Sequence, residues 1–247
     1  MDSLATERRQ LPAPHQVHIW WRGLGVPPRD VQAHWTLLSD DERERAKRFV
    51  FDRDRRRFVV ARATLRLILS TYLGTPPGGI SFEYGSYGKP RLPLNARQTP
   101  LEFSVSHAHE LAVYGVGVDG PLGVDVEWLE RAADVERLAQ TVFSAAERVA
   151  LLAMHERDRS RAFMTGWTRK EAYLKARGSG LSADPRLVEV GLGFERSRLV
   201  ARDEPATEYQ IESFVPHPGY VGALAAPSER AGAPGPVLLL RPWPPAS

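Results

Sequence analysis

The stretch that most constrains this chain is Leu122-Gly-Val-Asp-Val-Glu127, a short apolar run carrying two carboxylates two residues apart. Side chains along a strand alternate between two faces, so a strand here projects Asp125 and Glu127 from the same face. Two hard oxygen donors then converge on one region, and like charges that close call for a cation, a proton or basic side chains beside them. A solvated edge strand would carry the same pair, and the stretch alone does not choose between these readings.

The whole chain sets the bounds. Its 247 residues, 43% hydrophobic and 26% charged, suffice for one large or two small cores. There is no cysteine, which removes disulfides, thiolate zinc sites and a cysteine nucleophile together, and fits a cytoplasmic enzyme. Met1 to Pro14 is polar and charged, without the apolar stretch of a signal peptide, and no run is long enough to cross a bilayer. The expectation is a soluble intracellular protein. A net charge of +3 and a pI near 9.3 favour acidic partners or phosphate ligands without pointing to nucleic acid.

In chain order, Gln16 to Trp21 reads as a first strand followed by a loop containing Gly and Pro. Ser39 and Glu42 form a capping box, opening a helix whose Arg43, Arg45, Lys47 and Arg48 suit a solvated face. Phe58, Ala61, Leu65, Ile68 or Leu69, and Tyr72 recur at helical spacing in the next helix. Arg55, Arg56, Arg57, Arg62 and Arg66 crowd its front half and need an anion, for which a phosphate or Asp52 and Asp54 would serve. Gly74 ends it, and Ile80 to Tyr84 alternates like a strand ahead of the loop Gly85 to Pro90. Leu101 to His107 and Leu111 to Val118 form a hairpin through Ala108-His-Glu110. His107, at its rim, is by itself an ordinary surface histidine.

After the acidic strand, Asp134 caps a short helix to about Thr141, and Ser144 with Glu147 forms a second capping box. The longest helix is expected from Arg157 to Arg177, closed by Gly178-Ser-Gly180. Along it Phe163, Trp167, Glu171 and Lys175 make one stripe at four-residue spacing, apolar first and ionic last. Strands are expected at Leu187 to Phe194, Tyr209 to Phe214 and Tyr220 to Ala226, with Val237 to Leu240 the last ordered piece. The order of elements suggests an α+β chain of two similar halves, 1–120 and 121–247, dividing near Asp119-Gly-Pro121.

No Walker loop and no G-x-S-x-G elbow is present, and His15 with His18 lacks a third ligand for zinc. What remains is Asp125, Glu127 and Glu171 as oxygen donors, with Lys175, His107, Lys89 and the arginines as cationic groups. Mg²⁺ with a phosphate ligand suits that set, and phosphoryl-type transfer is the matching chemistry.

The ordered set Gly88-Lys89-Pro90, Phe103-Ser-Val-Ser-His107, Gly123-Val-Asp-Val-Glu127, Phe143-Ser with Glu147, and Trp167-Thr-Arg-Lys-Glu171 with Lys175 and Gly178-Ser-Gly-Leu181 closely resembles the Sfp-type 4'-phosphopantetheinyl transferases. The likeness spans about Ser39 to Leu181. It implies transfer of phosphopantetheine from coenzyme A to a serine hydroxyl of an apo carrier protein, with 3',5'-ADP leaving, in a pseudo-twofold pair of halves with coenzyme A between them. It further implies that Asp125, Glu127 and Glu171 hold Mg²⁺, that Lys175 and His107 contact the pyrophosphate, and that Glu171 is the base for the carrier serine, directly or through water. Arg57 matches the position that binds the 3'-phosphate and Arg45 another basic position near it, while Gly88, Lys89, Pro90 and Ser106 would line the adenine and phosphate pocket. Glu42 stands where the family pattern offers a lysine, which shifts that grip towards Arg45, Arg56 or Lys47. Trp128 to Phe143 resembles the carrier-facing region, with Trp128, Leu129, Val135, Leu138 and Val142 as an apolar patch and Arg131 and Arg137 suiting an acidic partner; covering the core is their other use.

Two rivals remain from the residues alone. A nucleic-acid binder built on Arg53 to Arg66 leaves the three carboxylates unexplained, and a metal-dependent phosphohydrolase or nucleotidyl transferase would use the same carboxylates. No membrane partner is expected.

Overall fold

The structure is a computed structural model that describes residues 9–85, 88–93, 100–129, 134–178, 184–193, 197–201, 207–228 and 236–244. The first part contains β1 (Gln16–Gly23), α1 (Pro28–Thr36), α2 (Asp40–Lys47), α3 (Asp52–Leu73), β2 (Glu83–Tyr84), β3 (Pro90–Arg91), β4 (Glu102–Ala108) and β5 (Leu111–Gly117). The second contains β6 (Gly123–Trp128), α4 (Val135–Val142), α5 (Ala145–Leu152), α6 (Glu156–Arg177), β7 (Ser197–Ala201), β8 (Thr207–Phe214), β9 (Tyr220–Pro227) and β10 (Val237–Pro242). It is a mixed α+β chain.

One four-stranded sheet has the order β10-β1-β5-β4 and the other β6-β9-β8-β7. The last strand returns to the first sheet, where it pairs parallel with β1. Alternation along the strands explains the layering. Trp20, Tyr114 and Val116 face α3 residues such as Leu65, Ile68 and Tyr72, whereas Val17, Ile19 and Val113 face Val124, Val126 and Leu224 of the second sheet. β5 is therefore buried along its whole length, with core on both faces. The opposite face of the second sheet meets α6, through Ala223, Ala225, Ala172 and Ala176. The resulting order is α3, first sheet, second sheet, α6. Each fully buried large apolar side chain contributes roughly 1.5–3 kcal/mol, so the contact between the sheets is held as a domain core is.

At the edge where the sheets meet, β4 lies beside β6, and the Val124 N–H donates to Ser104 Oγ at 3.1 Å. Gly123 lets the second layer close: a Cβ there would sit 1.9 Å from the Ala172 carbonyl oxygen, so only glycine allows α6 to lie against the start of β6.

Several expectations are corrected. The segment after β1 holds a helix, α1, with Pro28 in its first turn, where a missing N–H costs nothing. α3 is as long as α6, 22 residues each. Of Ile80 to Tyr84 only Glu83–Tyr84 is a strand. Residues 188–193 form no strand, because their backbone groups are taken by side chains. Lys170 Nζ donates to the carbonyls of Pro185 (2.8 Å) and Val188 (2.5 Å), Arg169 Nη1 donates to that of Val190 (2.9 Å), and Glu147 Oε1 accepts from the Val190 N–H (3.0 Å). The expected turn Ser179 to Leu181, and Phe194 and Arg131, lie outside the described residues.

Candidate active site

A cleft of about 480 Å³ opens between α3, the β3 loop, β4 and the C-terminal half of α6. That lies within the roughly 300–1,000 Å³ of ordinary ligand sites. Arg45, Gly88, Lys89, Pro90, His107, Glu171 and Lys175 line it, together with Phe58, Ala61, Arg62 and Leu65 of α3.

Behind this wall lies a cluster built from three elements. Asp125 projects from β6 towards α6, where its Oδ1 accepts from Lys175 Nζ (2.7 Å) and from Ser106 Oγ (2.7 Å), and Lys175 also donates to Ser106 (2.8 Å). Glu127, two residues on, accepts from Trp167 Nε1 at 3.0 Å. Trp167, Glu171 and Lys175 share one face of α6, so the four-residue stripe aligns with the two-residue alternation of β6. Asp125 Oδ2 and Glu171 Oε1 are buried without a hydrogen-bond partner. Burial above all, then the charges of Asp125 and Glu127, pushes the Glu171 carboxyl up to about 7, with Lys175 opposing.

Among the described residues no three acidic or histidine side chains already enclose a metal position. Lys175 and Trp167 instead hold one oxygen each of Asp125 and Glu127. The set still fits a hard cation: every donor is oxygen, and two of the oxygens are buried and unmatched.

The other anticipated residues are distributed as follows. His107 is an exposed residue, yet enough protein surrounds its ring that desolvation, followed by Lys175 and Arg57, lowers its pKa. Lys89 donates to the carbonyls of Leu122 (2.8 Å) and Lys175 (2.7 Å), tying the β3 loop to both β6 and α6, and desolvation lowers it to about 8. Arg45 sits exposed over the Phe58 ring at 5.3 Å. Arg57 is not among the residues lining the cleft; Glu110 and Asp54 engage it.

The anions the arginines require come from the chain itself. Asp52 pairs with Arg55 and Arg56. Glu42, only 1% exposed, accepts from Arg66 Nε at 2.7 Å and lies 3.5 Å from Arg62 Nε. The residue that departs from the family pattern is thus the counter-ion of two buried arginines, while Lys47 pairs with Glu44 and Arg56 with Asp52. Arg62, grouped above only with the arginines that need an anion, also lines the cleft, and its Nη1 is buried without a partner. Its place one turn after Phe58, on the stripe read as core, was the available signal. Of the expected carrier-facing patch, Val142 is buried, Leu129, Val135 and Leu138 pack partly on the core below, and Trp128 stacks on His109.

Comparison with known proteins decides the family. The 4'-phosphopantetheinyl transferase HetI of Nostoc sp. is 36% identical over 210 residues, 85% of this chain and 87% of its own. The chain belongs to the 4'-phosphopantetheinyl transferase family. Its superfamily profile matches residues 121–225, and the profile of the 4'-phosphopantetheinyl transferase N-terminal region matches residues 27–116. The transferase Sfp of Bacillus subtilis is 25% identical across 77% of this chain and 83% of its own. Among solved structures, the holo-acyl-carrier-protein synthase of Thermotoga maritima aligns over 44% of this chain and 64% of its own at 21% identity, with a TM-score of 0.32, too partial to carry an argument. This transferase is therefore an enzyme that moves phosphopantetheine from coenzyme A to carrier proteins. Among the described residues no helix is long and apolar enough to cross a membrane.

Proposed function

We propose that this transferase acts with Mg²⁺ at the seam between β6 and α6, modifies a serine hydroxyl of an apo carrier protein, and releases 3',5'-ADP. The observation that carries the reading is the pair of buried, unmatched carboxylate oxygens on Asp125 and Glu171 beside Lys175 at the cleft. Asp125, Glu127 and Glu171 would hold the ion, which when bound supplies charge neutralisation and alignment for the pyrophosphate. Lys175, with Ser106 and Asp125 as its present partners, carries positive charge to the leaving phosphate, and His107 donates to the same group. As the serine oxygen bonds to the phosphorus bearing pantetheine, the bond from that phosphorus to 3',5'-ADP breaks. The serine proton passes to Glu171, directly or through one water, the relay being favoured because a carboxylate that holds a metal is a weak base.

Arg45 and Arg57 take the 3'-phosphate, and Gly88, Lys89, Pro90 and Ser106 form the adenine and phosphate pocket, with Arg62 beside them. The halves are 1–120 and 121–247 with a pseudo-twofold relation. Supporting this, each half has a 22-residue helix on the outer face of a sheet, three strands from residues 1–120 with β10 added in one and four strands from residues 121–247 in the other. Trp128 to Phe143 faces the carrier, and the setting is cytoplasmic assembly of secondary metabolites. Intact-mass analysis of several apo carriers with coenzyme A tests the reading. The carrier gains phosphopantetheine and 3',5'-ADP appears only when carrier and Mg²⁺ are both present; bisphosphate release without carrier would instead favour a phosphohydrolase.

A further inference from the structure

We propose that Glu110, in the turn between β4 and β5, is the positioning residue for Arg57. It fixes the guanidinium by one edge so that the remaining N–H groups are presented to a phosphate. The proposal rests on the reading of Arg57 as a ligand of the 3'-phosphate.

The Arg57 side chain is 14% exposed, and its Nε donates to Glu110 Oε1 at 3.1 Å while Nη2 donates to the same oxygen. Nη1 lies 3.5 Å from Asp54 Oδ1. A guanidinium has five N–H donors in a rigid fork. Glu110 takes two from the Nε edge and Asp54 one, which leaves one N–H on each terminal nitrogen. Asp54 lies one helical turn before Arg57 on α3 and so cannot by itself tie the side chain to a second element. Glu110 comes from another element and can.

The turn that carries Glu110 is itself pinned to three neighbours. His109 holds a left-handed backbone, φ 48°, which an L side chain rarely adopts, and its ring stacks on Trp128 of β6 with centroids 4.1 Å apart and planes at 20°. The Glu110 N–H reaches Tyr220 Oη of β9 at 3.4 Å, and its carbonyl accepts from the Leu24 N–H at 2.8 Å. A strained turn that its surroundings over-determine is the kind found where a side chain must be aimed. His107, three residues before Glu110, lines the cleft, so the turn that holds the guanidinium adjoins the ligand space. A plain surface ion pair would need none of this backbone support.

The test uses the full chain and equilibrium binding of coenzyme A and its 3'-dephospho form to wild type, Glu110→Gln, Arg57→Ala and the double variant. Glu110→Gln keeps the side chain's shape and removes its charge. The dissociation constant for coenzyme A is expected to rise roughly fivefold or more, with little further loss in the double variant relative to Arg57→Ala. That for the 3'-dephospho form stays within about twofold. An unchanged or tighter affinity for coenzyme A in Glu110→Gln, with Arg57→Ala still discriminating between the two ligands, overturns the role of Glu110 alone. If Arg57→Ala weakens both ligands equally, the reading of Arg57 fails instead.

Discussion

The arginine-rich start of α3 and the carboxylate seam between β6 and α6 both crowd like charges into a small space, and they resolve the crowding in opposite ways. Around α3 each arginine meets an acid of the same chain: Asp52 serves Arg55 and Arg56, Glu42 serves Arg62 and Arg66, and Glu110 with Asp54 serves Arg57, with Glu42 Oε1 and Arg62 Nη1 left without a hydrogen bond. At the seam, Lys175 answers one oxygen of Asp125, while Asp125 Oδ2 and Glu171 Oε1 stay unmatched and the Glu171 carboxyl is pushed up. Pairs such as Arg55 and Arg56 with Asp52 are architecture, whereas Arg57 keeps two N–H groups over and Arg62 Nη1 stays unmatched beside the cleft. A region that leaves buried charge open is prepared for something the chain does not contain.

The comparison predicts that changes to the structural ion pairs around α3 act on stability and changes at the seam on chemistry, Arg57 acting instead on coenzyme A binding. The largest effect is expected for Glu42→Gln, which leaves two buried guanidinium groups uncompensated and costs about 3–5 kcal/mol in urea unfolding. Transfer per folded molecule should remain within a few-fold. Asp125→Ala comes next. It lowers phosphopantetheine transfer by roughly 10²–10³-fold in a mass-based assay, the loss typical of removing one group that stabilises transition-state charge. Its melting temperature stays near that of wild type, because Lys175 at 28% exposure turns to solvent. Arg55→Ala is the smallest, within about 0.5 kcal/mol and with unchanged transfer, since an exposed pair on a helix contributes little. Were Glu42→Gln to leave stability intact, or Asp125→Ala to unfold the chain, the division between the regions would collapse.

What the sequence made legible was local. Both capping boxes, the hairpin of β4 and β5, and the glycine ends of α3 and α6 depend on residues a turn apart, and they stand where expected. α1 escaped notice because no polar side chain caps it and its signal is a proline, the residue that elsewhere marks a loop. The run Leu187 to Phe194 misled for the opposite reason. Its pattern is that of a strand, but Lys170, Arg169 and Glu147 occupy the backbone groups a ladder would use. The parallel partnership of β10 with β1 joins residues more than 200 apart, beyond any periodicity. For the site, the spacing of Asp125, Glu127, Glu171 and Lys175 foretold which side chains share a face. It did not foretell that Lys175 would rest on Asp125, nor that Glu42 would answer Arg62 and Arg66, because both contacts arise from how separate elements pack.

The central claim is that Asp125, Glu127 and Glu171 form one cation site. Raised from 4.5 to about 7 by the fold, Glu171 adds stability while protonated, fully so below 4.5, and that contribution is lost as pH rises through about 7. Above this the ionised carboxylate burdens the metal-free protein until a cation relieves it. The decisive measurement is thermal unfolding at about pH 8 with coenzyme A present, with and without Mg²⁺, for wild type and Glu171→Gln. The account predicts that Mg²⁺ raises the wild-type melting temperature and scarcely moves that of the variant, which without metal melts above wild type. Equal Mg²⁺ shifts in the two proteins, or none in wild type, would contradict it.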